Sequence, residues 1–145
     1  MQAVIFDLDE TVFTSNNTLH DDVSPLLNIL RQLGIKIGAL TSGDHRMLVR
    51  LDEAGIRNHF DGVVCTAHVP TPKDPEGIQH LLRTLDIEAA HTAIVSHIGD
   101  DLRYGKHAGL AKTIHVVHGP VSTVSKHADA DHVVRDIPAV LDVLE

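Results

Sequence analysis

Short apolar runs alternate with stretches whose apolar residues recur every three or four positions, from one end of the chain to the other. Ala3-Val4-Ile5-Phe6 is a continuous run ending at Asp7, the pattern of a strand buried on both faces. Ser24-Pro25 followed by Leu26, Leu27, Ile29, Leu30 and Leu33 predicts a capped, proline-started helix that Gly34 closes. Ile35 to Leu40 reads as the second strand, 44–54 as a helix stopped by Gly55, and Gly62 to Cys65 as the third strand. Pro75 to Leu85 carries the stripe Ile78, Leu81, Leu82, Leu85 of a second amphipathic helix. Strands follow at Thr92 to Val95, Lys112 to Val117 and within Ala128 to Val134, before a terminal helix over Ile137 to Leu144. The longest irregular stretches are 12–23, 66–74 and 118–127.

Alternation of this kind predicts an α/β fold: a Rossmann-like three-layer sandwich around a mostly parallel sheet of five or six strands. The length of 145 residues suits one domain, and no linker or repeat interrupts it. Folds of this class bind ligands beyond the carboxyl ends of their strands. Those ends carry Asp7-Leu8-Asp9, Thr41-Ser42, the approach to Lys73, and Asp100-Asp101. Polar groups of complementary chemistry thus gather at one end of the sheet.

Composition narrows the chemistry further. The chain is 43% hydrophobic and 22% charged, ordinary for a globular protein, but only 3% aromatic, so stacking on bases has no platform. A formal charge of −8 argues against a nucleic-acid or anionic-membrane partner. One cysteine, Cys65, fits a reducing cytoplasm; no stretch has the length of a membrane span, and the N-terminus lacks a signal-peptide layout. The 12 histidines are scattered without zinc-site spacing.

Two carboxylates in Asp-x-Asp, on extended backbone, lie on one face and repel unless a cation or a proton compensates them. Mg²⁺ is the hard cation that such a pair suits. An ionised Asp can also attack phosphorus, and a second one can protonate the leaving oxygen and then activate water.

On these residues the chain resembles the haloacid dehalogenase-like hydrolases, mostly Mg²⁺-dependent phosphatases. FDLDET (6–11) looks like motif I and LTSG (40–43) like motif II. TPKDPEGI (71–78) is similar to the lysine-bearing motif III, and IGDDLRYGKHAGLAKTIHV (98–116) to motif IV with its following helix and strand. The resemblance implies a nucleophile at Asp7 and a general acid/base at Asp9, whose carbonyl would also hold the metal. Thr41, Ser42 and Gly43 would bind the phosphoryl oxygens, the two amides at a helix N-terminus. Lys73 would neutralise the nucleophile and the phosphoryl group. Asp7, Asp9, Asp100 and Asp101 would hold Mg²⁺.

Two motifs depart from the family pattern. Pro72-Lys73-Asp74-Pro75 stands where Lys-Pro-x-Pro is usual. In motif IV, Gly99-Asp100 can be read as the Gly-Asp pair, or Ser96-His97 can take that place with Asp101 as the second acid, so that His97 replaces a metal ligand. The expectation is that Asp100 and Asp101 together hold the ion. Residues 12–23 and 44–72 leave no room for a lid, which implies an open core. That suits a large substrate, a macromolecular one, or a lid supplied by a homo-oligomeric partner; the substrate expected is a small-molecule phosphate ester or a phosphorylated macromolecule. The second reading is a catalytically degenerate binding or partner-assembly module, and a dehalogenase is a distant third.

Overall fold

A computed structural model describes residues 1–14, 16–117 and 128–144. The irregular stretch expected at 118–127 lies outside them. Six strands form one all-parallel sheet: β1 (Ala3–Asp7), β2 (Lys36–Leu40), β3 (Gly62–Val64), β4 (Thr92–Ser96), β5 (Lys112–Val116) and β6 (His132–Val134). Their order is β3-β2-β1-β4-β5-β6. The chain winds outward through β2 and β3, then returns past β1 to begin β4. The strand order therefore reverses at β1 and β4, where α/β sheets leave a crevice.

Among the described residues four α-helices cover the sheet: α1 (Val23–Gln32), α2 (Arg46–Glu53), α3 (Pro75–Leu85) and α4 (Gly99–His107). Alternate residues of β1 feed two cores, as the period of a strand requires. Val4 and Phe6 pack with Leu26, Leu27, Leu30, Met47 and Leu51 from α1 and α2. Ala3 and Ile5 pack with Ile78, Leu81, Leu85 and Leu102 from α3 and α4. No helix among the described residues is long and apolar enough to cross a membrane.

The elements match the expected order, with local corrections. Helix α1 begins at Val23, so Ser24 and Pro25 lie inside its first turn, and the N-cap position falls to Asp22, which makes no side-chain capping bond. Pro25 is tolerated there because the first turn has no intrahelical acceptor for its missing N–H. Gly34 does close the helix: at φ 76° it lets Ile35 N–H reach Leu30 O at 3.0 Å. The helix expected from 44 starts at Arg46, because Asp44 Oδ1 accepts the Arg46 N–H at 3.0 Å and ends the preceding turn. The terminal segment is not an α-helix. Pro138–Val143 forms tight 3₁₀ turns, with Asp136 Oδ1 accepting Ala139 N–H at 2.8 Å.

One glycine decides where Lys73 goes. A Cβ on Gly77 would sit 1.8 Å from the carbonyl oxygen of Pro72. Only a residue without a side chain lets the 71–74 loop fold back onto the first turn of α3.

Candidate active site

Parallel pairing brings the strand ends level. Asp7 stands opposite Leu40, one residue before Thr41, and Phe6 opposite Val95, one residue before Ser96. The Asp7 carboxylate is thereby set in the crevice between β1 and β4, with 1% of its surface exposed. Immediately after it, Leu8–Val12 makes a π-type turn closed by Phe13 N–H to Leu8 O at 3.0 Å. Within that turn Glu10 adopts the left-handed conformation at φ 58°, uncommon for a residue with a side chain. The turn brings Thr11 back over Asp7.

A buried carboxylate must be answered by donors or cations. Lys73 Nζ lies 2.5 Å from Asp7 Oδ1 and 3.2 Å from Asp101 Oδ2. Thr11 Oγ1 donates to Asp7 Oδ2 at 3.1 Å, and His97 Nδ1 stands 2.9 Å from the same oxygen. Ser96 is fully buried; its hydroxyl donates to Asp101 Oδ2 at 2.6 Å and passes 3.4 Å from Asp7 Oδ2. The His97 ring reaches further, with Nε2 3.3 Å from Glu10 Oε2. Its backbone is fixed as well: His97 N–H donates to Thr11 Oγ1 at 3.1 Å, and its carbonyl accepts from His115 Nε2 at 3.1 Å. With a carboxylate beside each nitrogen, the ring is placed to donate from both.

The electrostatics follow from these contacts. Burial lowers the Lys73 pKa, but the charges of Asp7 and Asp101 outweigh it and raise it overall, so the ammonium stays charged. The hydrogen bond to Asp7 raises His97 above the ordinary imidazole value against the opposing effect of burial. Asp101 is pushed up chiefly by burial, with Lys73 pulling the other way.

Asp9 lies nearer the solvent, its side chain 43% exposed. Thr41 Oγ1 donates to Asp9 Oδ2 at 3.4 Å, and Arg50 of α2 lies 4.0 Å from Asp9 Oδ1. Thr41 is fully buried and its Oγ1 also accepts the Gly43 N–H at 3.0 Å. That amide is engaged inside its own turn, and Ser42 is exposed. Segment 41–43 does not sit directly on a helix N-terminus either: Asp44 and His45 intervene before α2.

The fold therefore gathers Asp7, Asp9, Thr41, Lys73 and Asp101. It does not gather Asp100, which is exposed and stands 3.3 Å from Arg103 one helical turn on. This geometry follows the register that sets Ser96-His97 in the Gly-Asp place and Asp101 as the second acid. Ser96, Thr11 and Arg50 are added by the structure. Ser96 and Thr11 could have been flagged as hydroxyls beside motif residues, whereas Arg50 carries no sequence signal at all.

Mg²⁺ would need about six oxygens at roughly 2.0–2.1 Å. Among the described residues no three His, Cys, Asp or Glu side chains converge to hold an ion. Asp7 Oδ2 faces an imidazole nitrogen instead, and Asp7 Oδ1 faces an ammonium. In this arrangement the donor set does not fit Mg²⁺.

The profile of the haloacid dehalogenase-like hydrolases matches residues 12–109, a span that begins just after the Asp7–Asp9 segment. No protein among curated sequences matches the chain. Solved structures do. A phosphatase of this superfamily from Thermococcus onnurineus superposes with a TM-score of 0.90 at 17% identity, over 99% of this chain and 98% of that one. The L-2-haloacid dehalogenase RSc1362 gives 0.83 at 16% identity, over 99% and 98% of the two chains. CbbY from Rhodobacter sphaeroides, solved in complex with phosphate, gives 0.78 at 16% identity, over 92% and 93%. At such identities the superpositions speak for the fold alone, but the profile covers most of the chain, and this protein belongs to the haloacid dehalogenase-like hydrolase family.

Proposed function

We propose that the chain is a phosphoric monoester hydrolase working through an aspartyl-phosphate on Asp7. The observation that carries this reading is the asymmetric holding of Asp7. Its Oδ2 is occupied by Thr11 and His97, while Oδ1 faces the Lys73 ammonium. Oδ1 is thus the oxygen left to attack, next to a cation able to draw in a phosphoryl group. In the first step the Oδ1–P bond forms as the ester P–O bond breaks, and protonated Asp9 gives its proton to the leaving oxygen. In the second, Asp9 takes a proton from water, the water oxygen bonds to phosphorus and the Oδ1–P bond breaks, releasing inorganic phosphate. Thr41, held against Asp9, orients the acid/base.

Hydrolases of this family generally use Mg²⁺; the cation facing Asp7 Oδ1 here is the Lys73 ammonium. Partial exposure of Asp9 and Arg50 supports an open site that takes a phosphate ester whose remainder stays largely in solvent. The test is hydrolysis of p-nitrophenyl phosphate. Asp7→Asn should lower turnover by at least roughly 10³-fold, and unchanged turnover would end the proposal. The second reading, a phosphate-binding module without turnover, is favoured by one observation: the Gly43 amide is bonded within its own turn. It predicts binding of inorganic phosphate with no hydrolysis across a panel of phosphate esters.

A further inference from the structure

We propose that His97 takes the place of the metal in this site: its imidazole, held between Asp7 and Glu10, fills the position a divalent ion would need on the Asp7 carboxylate. Phosphoryl chemistry would then be supported by Lys73 and His97. The inference rests on the phosphoryl reading above but concerns only what neutralises Asp7.

Three observations carry it. First, Nδ1 is 2.9 Å from Asp7 Oδ2 and Nε2 is 3.3 Å from Glu10 Oε2. A ring nitrogen at that distance occupies the side of the Asp7 oxygen on which a metal would have to sit. Second, the ring is built in. Its own N–H and carbonyl are bonded to Thr11 and His115, and Glu10 takes a left-handed backbone conformation in the turn that faces the ring. A non-glycine residue in that conformation is retained where surroundings over-determine it, which is common at functional sites. Third, the carboxylate that could have compensated is absent. Asp100 is turned to solvent beside Arg103, and Asp101 Oδ2 already accepts from Ser96 and lies beside Lys73.

Thermal unfolding of the full chain is measured against MgCl₂, with NaCl at matched ionic strength as reference. The wild type should show no saturable rise in melting temperature. His97→Asp should gain one of several degrees, because it puts an oxygen ligand where the imidazole stood. A saturable Mg²⁺ stabilisation of the wild type overturns the inference, as does a folded His97→Asp with no gain. If His97→Asp does not fold, the wild-type titration decides alone. In a parallel arm, inorganic phosphate in EDTA should stabilise the wild type and p-nitrophenyl phosphate hydrolysis should be unaffected by EDTA. Absence of turnover with and without Mg²⁺ would strike the proposed function and leave the Mg²⁺ titration to judge His97.

Discussion

Burying the Asp7 carboxylate is costly unless its charge is matched, and Lys73 is the nearest positive charge that matches it. Replacing Lys73 by Met should leave the buried carboxylates of Asp7 and Asp101 without the ammonium between them. The expected loss is about 3–5 kcal/mol of unfolding free energy, read by urea denaturation, and Asp101→Asn in the same chain should recover part of it. His97 makes a pH-dependent contribution of known sign. Its folded pKa lies above the unfolded value of about 6.5, so its stabilisation is complete below that value and lost as pH rises through the folded pKa. The difference in stability between wild type and His97→Asn should therefore shrink towards alkaline pH; a constant difference from pH 6 to 9 would contradict it. Part of this residue-level picture was legible in the sequence: Asp7, Asp9 and Thr41 each end or follow a recognisable apolar run, whereas Lys73 sits in an irregular stretch and is picked out only by its resemblance to motif III. What was not legible is direction. Asp100 and Asp101 are adjacent on α4, and the step of about 100° between neighbouring residues of a helix turns one towards Lys73 and the other towards Arg103.

At the scale of elements, the 71–74 loop and α3 act together. Lys73 reaches the crevice because Gly77 lets Pro72 close on the helix. Gly77→Ala should push the loop outward, lowering both melting temperature and phosphate hydrolysis. Gly34→Ala, where a Cβ would meet open space at φ 76°, should cost about 1 kcal/mol through backbone strain and leave activity unchanged. Equal effects on activity from the two would contradict the role given to Gly77. Periodicity revealed α3 and its buried stripe directly, since Ile78, Leu81, Leu82 and Leu85 fall at helical spacing. The chain's end misled for a physical reason. Apolar residues at Ile137, Val140 and Leu144 fit α-helical and 3₁₀ turns alike over so short a span.

For the whole molecule, the sheet is the scaffold that makes distant residues neighbours. Thr11 and His97 are 86 positions apart, yet within 3.0 Å. Strand alternation in the sequence foretold a parallel sheet, and with it the end where chemistry gathers; it could not foretell which loops would meet across the crevice. We expect the chain to unfold as one domain, in a single calorimetric transition whose van't Hoff and calorimetric enthalpies agree. Two resolved transitions would contradict that. If phosphate passes through Asp7 as proposed, covalent trapping will catch it there. Asp9→Asn should accept a phosphoryl group from p-nitrophenyl phosphate, whose leaving group needs little protonation, but release it slowly. Acid-quenched and analysed by mass spectrometry, its N-terminal tryptic peptide should carry one phosphoryl group on Asp7. A peptide free of phosphate, or a phosphoryl group on any other residue, would contradict the account.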